Sequence, residues 1–186
     1  FGTTGRQNDH FNLNTKYDES LAFVESIWDE YIKGDDPVFD QDTIVNIGTD
    51  EYDGQYTEQF RKFTDDLLAY IQDNGNTVRL WGSLTARSGS TSVRSEGVQM
   101  NIWNDGWANP KAMYQQGYDL IDMNDGRVYI VPAAGYYADY LSRQSMYNYD
   151  PATRMGVPSG SEQTLGGAYA IWNDMVDQRA NGLTEM

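Results

Sequence analysis

Residues 43–51 read T-I-V-N-I-G-T-D-E, and this stretch decides the fold predicted for the chain. Residues 43–47 are mostly β-branched and apolar, with no regular alternation of polar and apolar side chains, which predicts a buried strand. Gly48 ends the strand, because glycine punctuates regular structure. Asp50 and Glu51 follow at once, so two adjacent carboxylates are expected just beyond the end of a buried strand.

Helices and further strands are predicted on both sides of this segment. Apolar residues recur at helical spacing over 17–33 and 55–73, and a glycine follows each stretch where the helix should stop. Apolar, β-rich runs predict strands at 77–81, 98–103, 118–122, 127–131 and 167–171. Other predicted features are short helices from near Pro110, at 136–145 and from near Asn173, a hairpin turn at 124–126, and long loops at 82–97 and 147–163.

Strands that alternate with helices predict an α/β fold with a parallel sheet. The long irregular loops follow strands, which is where eight-stranded (β/α) barrels carry their active sites. About five strands are expected, whereas a complete barrel takes about 250 residues and this chain has 186. We therefore expect residues 1–186 to form one partial domain, the C-terminal part of a (β/α)8 TIM barrel.

The charge of the chain argues against several classes of partner. Acidic residues number 28 against 13 basic ones, and the formal net charge of −15 is spread along the sequence. Such a surface repels phosphate backbones and anionic membrane faces, so a nucleic-acid partner is not expected. No apolar run approaches the roughly 20 residues that span a bilayer, so membrane insertion is not expected either. A neutral substrate fits better.

Metal chemistry is also unexpected. The chain has no cysteine and a single histidine, His10. A disulfide framework, a thiolate zinc site and a histidine-rich metal cluster are therefore ruled out by composition. We expect neither a metal nor a cofactor.

Adjacent acidic residues are common in this chain, so their position is more informative than their adjacency. Five such pairs occur, at 18/19, 29/30, 35/36, 50/51 and 65/66. Four of them fall on amphipathic helices or a turn, where a solvated charged face explains them. Asp50 and Glu51 instead follow a buried strand, at the face where barrel enzymes place catalytic groups. This position favours catalysis and leaves ordinary surface charge open as the alternative.

One signature and four further motifs, in the same order along the chain, resemble those of one enzyme family. The run N-I-G-T-D-E at 46–51 resembles the H-x-G-G-D-E signature of glycoside hydrolase family 20, which contains β-N-acetylhexosaminidases and lacto-N-biosidases. Downstream, two predicted strands end in Trp81 and Trp103, a tyrosine follows the next strand, and G-G-A-Y-A-I-W-N-D occupies 166–174. The sequence departs from the family at Asn46, where the signature has histidine, and it lacks a counterpart of the sugar-binding arginine on the first strand.

The resemblance implies retaining, substrate-assisted hydrolysis of terminal β-linked N-acetylhexosamine-containing units from glycans. In that mechanism the 2-acetamido oxygen of the sugar attacks the anomeric carbon. Glu51 would protonate the leaving oxygen and later activate water, while Asp50 would accept the acetamido N–H and stabilise the oxazolinium intermediate. The tyrosine that hydrogen-bonds the acetamido oxygen matches Tyr129, with Tyr137 as the second choice.

The resemblance also implies the substrate-binding residues. The apolar box that aligns the acetamido group corresponds to Trp81, Trp103 and Trp172. Asp174 matches an acidic position that binds sugar hydroxyls and is usually glutamate in hexosaminidases. Its shorter side chain leaves room beside the terminal sugar, which favours release of a disaccharide, as by lacto-N-biosidases.

Two other functions stay open at this point. A catalytically inactive carbohydrate-binding homologue would also use aromatic platforms and polar clamps. A calcium-binding structural domain would use loop aspartates such as those in 122–126. That spacing departs from the EF-hand pattern, so a hairpin turn is the simpler interpretation.

The resemblance further implies the partners and the location. A glycan is the expected substrate. The missing N-terminal half of the barrel, or self-association, is the expected structural partner, because half a barrel leaves strand edges unpaired. An extracellular or cell-surface location is expected from the family.

Overall fold

The computed structural model describes residues 10–174. Within this range the chain contains both helices and strands. In chain order the elements are α1 (Tyr17–Ile32), β1 (Ile44–Asn46), α2 (Thr57–Asp73, preceded by a 3-10 turn at Gly54–Tyr56), β2 (Thr77–Trp81), β3 (Val98–Ile102), α3 (Pro110–Gln115), β4 (Asp119–Asp122), α4 (Asp125–Val128), β5 (Tyr129–Ile130), α5 (Arg143–Tyr147), α6 (Pro151–Met155), β6 (Thr164–Gly167) and β7 (Ala170–Ile171).

Five strands form one sheet in the order β1-β2-β3-β4-β6, and every neighbouring pair is parallel. A second, two-stranded parallel sheet pairs β5 with β7. The predicted α/β fold with a parallel sheet is therefore confirmed. Because all strands of the larger sheet run the same way, their carboxyl ends lie at one edge, and the loops that follow them meet there.

The main core lies between α2 and the larger sheet. One face of α2 buries a set of large apolar side chains, namely Phe60, Phe63, Leu67, Leu68 and Ile71. Val78 and Leu80 of β2 are fully buried opposite them, and α1 packs on the outside of α2. The predicted periodicity of 55–73 is thus the spacing of the residues that hold the helix to the sheet. The helix ends before Gly75, whose φ of +91° is left-handed.

A second apolar cluster joins the two sheets at the carboxyl ends of β3 and β4. Its buried members are Trp103, Ile121, Met123, Val128, Tyr129 and Val131. This cluster carries two of the predicted site residues and fixes the small sheet against the large one.

The hairpin predicted at 124–126 is wrong. The N–H groups of Arg127 and Val128 both donate to the carbonyl of Asn124, which starts the helix α4 instead of a two-residue turn. The predicted strand 127–131 is reduced to Tyr129–Ile130, and it pairs with β7, which is distant in sequence, rather than with β4. Hydrophobic pattern alone does not select between these two pairings.

The predicted elements after residue 131 are also corrected. The helix expected at 136–145 lies at Arg143–Tyr147 and is capped by Ser142. The loop expected at 147–163 contains the helix Pro151–Met155, since Asp150 accepts from the N–H of Thr153 and proline occupies the first helical turn. The strand expected at 167–171 is split into β6 and β7. The helix expected from near Asn173 falls mostly outside the described residues.

Within residues 10–174 the larger sheet has β1 at one edge and β6 at the other. Both strands expose an apolar side chain: Ile44 is 42% exposed and Leu165 is 46% exposed. No helix in this range is long and apolar enough to cross a membrane.

Candidate active site

A cavity of about 550 Å³ opens at the carboxyl ends of the strands. Its lining contains every residue that the sequence predicted for the site, together with Gly48. These residues are Asp50, Glu51, Trp81, Trp103, Tyr129, Tyr137, Trp172 and Asp174. They come from five separate parts of the chain, at or after β1, β2, β3, β5 and β7, and from both sheets. The fold therefore brings into one place residues up to 124 positions apart.

The backbone that carries the two acids is strained. Gly48, Thr49 and Glu51 have φ values of +75°, +69° and +49°. Glycine adopts such left-handed angles freely, whereas a β-branched residue such as Thr49 does so rarely, at a cost on the order of 1–3 kcal/mol. Asp50 and Glu51 are both exposed at the cavity. The turn thus lifts two adjacent carboxylates off the end of β1.

Hydrogen bonds hold this turn in place. The Asn46 side-chain oxygen accepts from the N–H of Gly48 at 2.9 Å, and the carbonyl of Gly48 accepts from the N–H of Trp81 at 2.9 Å. The N–H of Glu51 donates to the hydroxyl of Ser83 at 3.3 Å, and Ser83 is fully buried. Asn46, where the family signature has histidine, therefore acts here as a brace of the turn.

Three tryptophans form aromatic walls of the cavity. Trp81 and Trp172 pack with their ring centroids 6.0 Å apart. Trp103 is 8% exposed, and its indole N–H donates to the carbonyl of Gly82 at 2.8 Å. This hydrogen bond satisfies the indole and fixes the orientation of its ring.

Two tyrosines complete the wall beside the acids. Tyr129 is buried and packs edge-to-face against Tyr137 and Trp172, each with centroids 5.6 Å away. Burial, followed by nearby negative charge from Asp125, raises the pKa of Tyr129. Burial and a hydrogen bond to Asp125 raise the pKa of Tyr137 to about 12. Both hydroxyls are therefore neutral at ordinary pH.

The two tyrosines differ in whether the hydroxyl proton is available to a ligand. The Tyr137 hydroxyl donates to the Oδ2 of Asp125 at 3.0 Å, and a hydroxyl has one proton to give. Tyr137 can then only accept a hydrogen bond from a ligand. Tyr129 is consequently the better placed of the two to donate to a ligand oxygen.

Sequence reasoning missed three polar residues at this site. Asp125 accepts from Tyr137 and also from the Asn104 side chain at 2.8 Å, which links the loops after β3 and β4. Tyr136 donates to the Oδ2 of Asp174 at 2.8 Å and so fixes a carboxylate at the rim. The position of Asp125 just after a strand was the available signal, but it lay in a segment interpreted as a hairpin turn.

A buried ion pair joins α6 to the end of β4 and to the loop after β3. Asp122 at the end of β4 is fully buried, and its Oδ2 accepts from the Nε of Arg154 at 2.7 Å and from the Tyr149 hydroxyl at 2.6 Å. Arg154 also reaches Asp105 in the loop after β3 at 2.7 Å. Within residues 10–174, no three His, Cys, Asp or Glu side chains are grouped to hold a metal ion. Asp122, one of the loop aspartates considered for calcium, is instead paired with an arginine.

Comparisons with solved structures show the fold. The family 20 β-N-acetylhexosaminidase from Streptomyces coelicolor is 19% identical, with a TM-score of 0.65 over 88% of this chain and 33% of that one. Dispersin B is 17% identical, with a TM-score of 0.61 over 98% of this chain and 58% of that one. A mutant Streptomyces plicatus β-hexosaminidase in complex with GlcNAc is 17% identical, with a TM-score of 0.63 over 90% and 34%.

The chain thus spans between 33% and 58% of the length of these three structures. No curated protein sequence matches it. The sequence model described as "Glycosyl hydrolase family 20, catalytic domain" matches residues 53–185. This range begins two residues after Glu51, so the match is independent of the acidic pair. With most of its length matched in this way, the chain belongs to glycosyl hydrolase family 20.

Proposed function

We propose that the protein hydrolyses terminal β-linked N-acetylhexosamine-containing units from glycans, with retention of configuration. The observation that carries this proposal is the single cavity in which two carboxylates, three tryptophans and two tyrosines converge. Family membership supports the same reaction class. The substrate is a glycan, and no cofactor takes part because the attacking nucleophile belongs to the sugar.

Glu51 is the proposed general acid and base. It gives its proton to the glycosidic oxygen as the bond to the anomeric carbon breaks, and the 2-acetamido oxygen of the same sugar forms the new bond. Water then opens the oxazolinium intermediate while Glu51 takes a proton from that water. Asp50 accepts the acetamido N–H and balances the positive charge of the intermediate. Their adjacency on one rigid turn allows the two acids to reach different atoms of one sugar.

Trp81, Trp103 and Trp172 form the proposed box for the acetamido group, with Tyr129 as the donor to its oxygen. A box of this kind excludes water and holds the acetamido oxygen near the anomeric carbon. The neutral hydroxyl of Tyr129 stabilises negative charge on that oxygen before attack. Tyr137 takes a supporting place in the wall, because its proton is already donated to Asp125.

Asp174 is the proposed determinant of the released unit. Its carboxylate is held at the rim by Tyr136, and its side chain is one methylene shorter than that of glutamate. The extra space favours a disaccharide, and release of lacto-N-biose is the specific proposal. Activity on p-nitrophenyl N-acetylglucosaminide with none on the p-nitrophenyl lacto-N-bioside would refute it.

The chain is proposed to be the C-terminal part of a (β/α)8 barrel. The open edges at β1 and β6 would then pair with the remaining strands, supplied by further polypeptide or by a second copy. An extracellular or cell-surface location fits a glycan substrate. Sedimentation of the chain alone tests the second-copy arrangement, for which a mass of twice 21.1 kDa is expected.

Replacement of the acid tests the reaction. In the complete protein, Glu51→Gln should lower kcat on the glycan by about 10²–10⁴-fold, since a positioned general acid contributes that much. Glu30→Gln, on the exposed face of α1, is the matched control and should retain full activity. Unchanged turnover in Glu51→Gln would overturn the mechanism. Binding of the glycan without any turnover would instead support the inactive carbohydrate-binding homologue.

A further inference from the structure

A second cavity, of about 260 Å³, lies beside the first. It is lined by His10, Glu51, Tyr52, Asp53, Gly54, Arg87 and Trp107. Glu51 is the one residue that lines both cavities. The proposed acid therefore stands at the boundary between two spaces, whereas the other residues assigned above line only the first of these two cavities.

The aromatic wall continues from the first cavity into the second. Trp107 stacks on Trp103 with centroids 5.8 Å apart and an interplanar angle of 28°. Trp103 faces the first cavity and Trp107 faces the second. The guanidinium carbon of Arg87 lies over the Trp107 ring, 4.5 Å from its centroid. Part of the wall of the second cavity is therefore an arginine guanidinium that lies over the face of a tryptophan ring.

Arg87 is fixed by more than this stacking. Its Nε donates to the carbonyl of Tyr52, and its Nη1 donates to the carbonyl of Ala86 at 3.2 Å. A methyl group added at Gly54 would meet the guanidinium at 3.6 Å, so the main chain lies close to this group. Partial burial lowers the pKa of Arg87, and the charges of Asp53 and Glu51 oppose that shift. A guanidinium carries five N–H donors in a rigid fork, and these two bonds leave others to face the cavity.

We propose that this second cavity binds the leaving group, and that Arg87 donates hydrogen bonds to hydroxyls of a neutral sugar on the reducing side of the cleaved bond. The inference rests on the proposed function. A general acid must touch the glycosidic oxygen, which lies between the two sugars, so the space across Glu51 from the first cavity receives the departing sugar. Arg87 positions that sugar and takes no part in proton transfer. The preferred substrate is then an oligosaccharide.

The ratio of the kcat/KM values for two kinds of substrate tests this inference. The complete protein is assayed on two substrates with the same released unit, one bearing a sugar leaving group and one bearing p-nitrophenol. The pairs are chitobiose with p-nitrophenyl N-acetylglucosaminide, and lacto-N-tetraose with p-nitrophenyl lacto-N-bioside. In Arg87→Gln, kcat/KM for the oligosaccharide should fall about tenfold to a hundredfold, because hydrogen bonds from a charged group are lost. The aryl substrate should change less than threefold.

Two controls separate positioning from folding. Arg94→Gln removes an arginine of similar exposure that pairs with Asp65 away from both cavities, and it should leave the ratio of kcat/KM values unchanged. Arg87→Lys keeps the charge without the fork and should give an intermediate ratio. If Arg87→Gln lowered kcat/KM equally for both substrates, Arg87 would only stabilise the turn that carries Glu51, and the inference would be overturned. Wild-type protein that cleaves only the aryl substrate would also overturn it. Wild-type protein that cleaves neither would overturn the proposed function itself.

Discussion

The buried pair between Asp122 and Arg154 supports a quantitative prediction for Arg154→Met. The side chain of Asp122 is 0% exposed and that of Arg154 is 12% exposed, so solvent screens their interaction weakly. Methionine fills a similar volume without charge. The substitution leaves the Asp122 carboxylate buried and without its cationic partner. Among the described residues it still accepts from the Tyr149 hydroxyl at 2.6 Å and from the N–H of Asn124 at 3.2 Å.

The size of the effect follows from this environment. Removing one partner of a buried pair costs about 3–5 kcal/mol, because the remaining charge is uncompensated. Tyr149 still donates at 2.6 Å, so the loss should lie near the lower end, at about 3 kcal/mol. For a chain of this size that corresponds to a fall in Tm of about 6–12 °C.

Urea unfolding followed by tryptophan fluorescence measures the free energy of unfolding, with Lys16→Met as the control. Lys16 pairs with Glu19 on the surface at about half exposure for both side chains, and such pairs are worth about 0–1 kcal/mol. The double variant Asp122→Asn with Arg154→Met removes the orphaned charge and should recover part of the loss. A loss in Arg154→Met no larger than in Lys16→Met, or no recovery in the double variant, would refute the reasoning.

Three further predictions concern pH, packing and the site wall. Hydrogen bonds from a threonine hydroxyl and two backbone N–H groups of the loop after β2 lower the pKa of Glu58 to about 2. The contribution of the ionised Glu58 side chain to stability should therefore be complete above about pH 4.5 and be lost as the pH falls toward 2. A titration midpoint near 4.5 for the Glu58 carboxyl, measured by NMR, would contradict this. In Gly82→Ala the new Cβ would lie 2.5 Å from that of Ala108, so the free energy of unfolding should fall by about 1–3 kcal/mol. Unchanged thermal stability would contradict this, because it would mean that the backbone moves at no cost. In Asp125→Ala the pKa of Tyr137 should drop from about 12 toward 10, as measured by NMR of labelled tyrosine, and an unmoved value would assign the shift to burial alone.

The sequence was sufficient for the elements with strong local signals. Strand β2 lies at the predicted residues 77–81, because its apolar side chains are those that the core requires. The helix expected at 55–73 was likewise recovered as Thr57–Asp73. The small sheet was not predicted, since each of its strands has two residues and their pairing depends on tertiary contacts.

The clustering of the candidate site residues follows from the positions where strands end. Side chains at the carboxyl ends of parallel strands meet at one edge, so motifs far apart in sequence line a single cavity. The hydrogen-bond and ion-pair partners in and around the site could not be predicted from the sequence. The link from Tyr137 to Asp125 and the pairing of Asp122 with Arg154 depend on loop paths that no local pattern encodes. The left-handed angle of Thr49 is equally invisible in sequence, because threonine gives no signal for it.

The strain at Thr49 has a consequence for protein engineering. Glycine adopts a left-handed φ without strain, so Thr49→Gly would relax the backbone, and a screen for heat resistance would select this substitution. The same change would loosen the rigid turn that carries both carboxylates. Selection for thermal stability would therefore favour glycine at position 49, whereas selection for turnover would favour threonine. A library that varies residue 49 should be sorted by catalysis first and by heat resistance second.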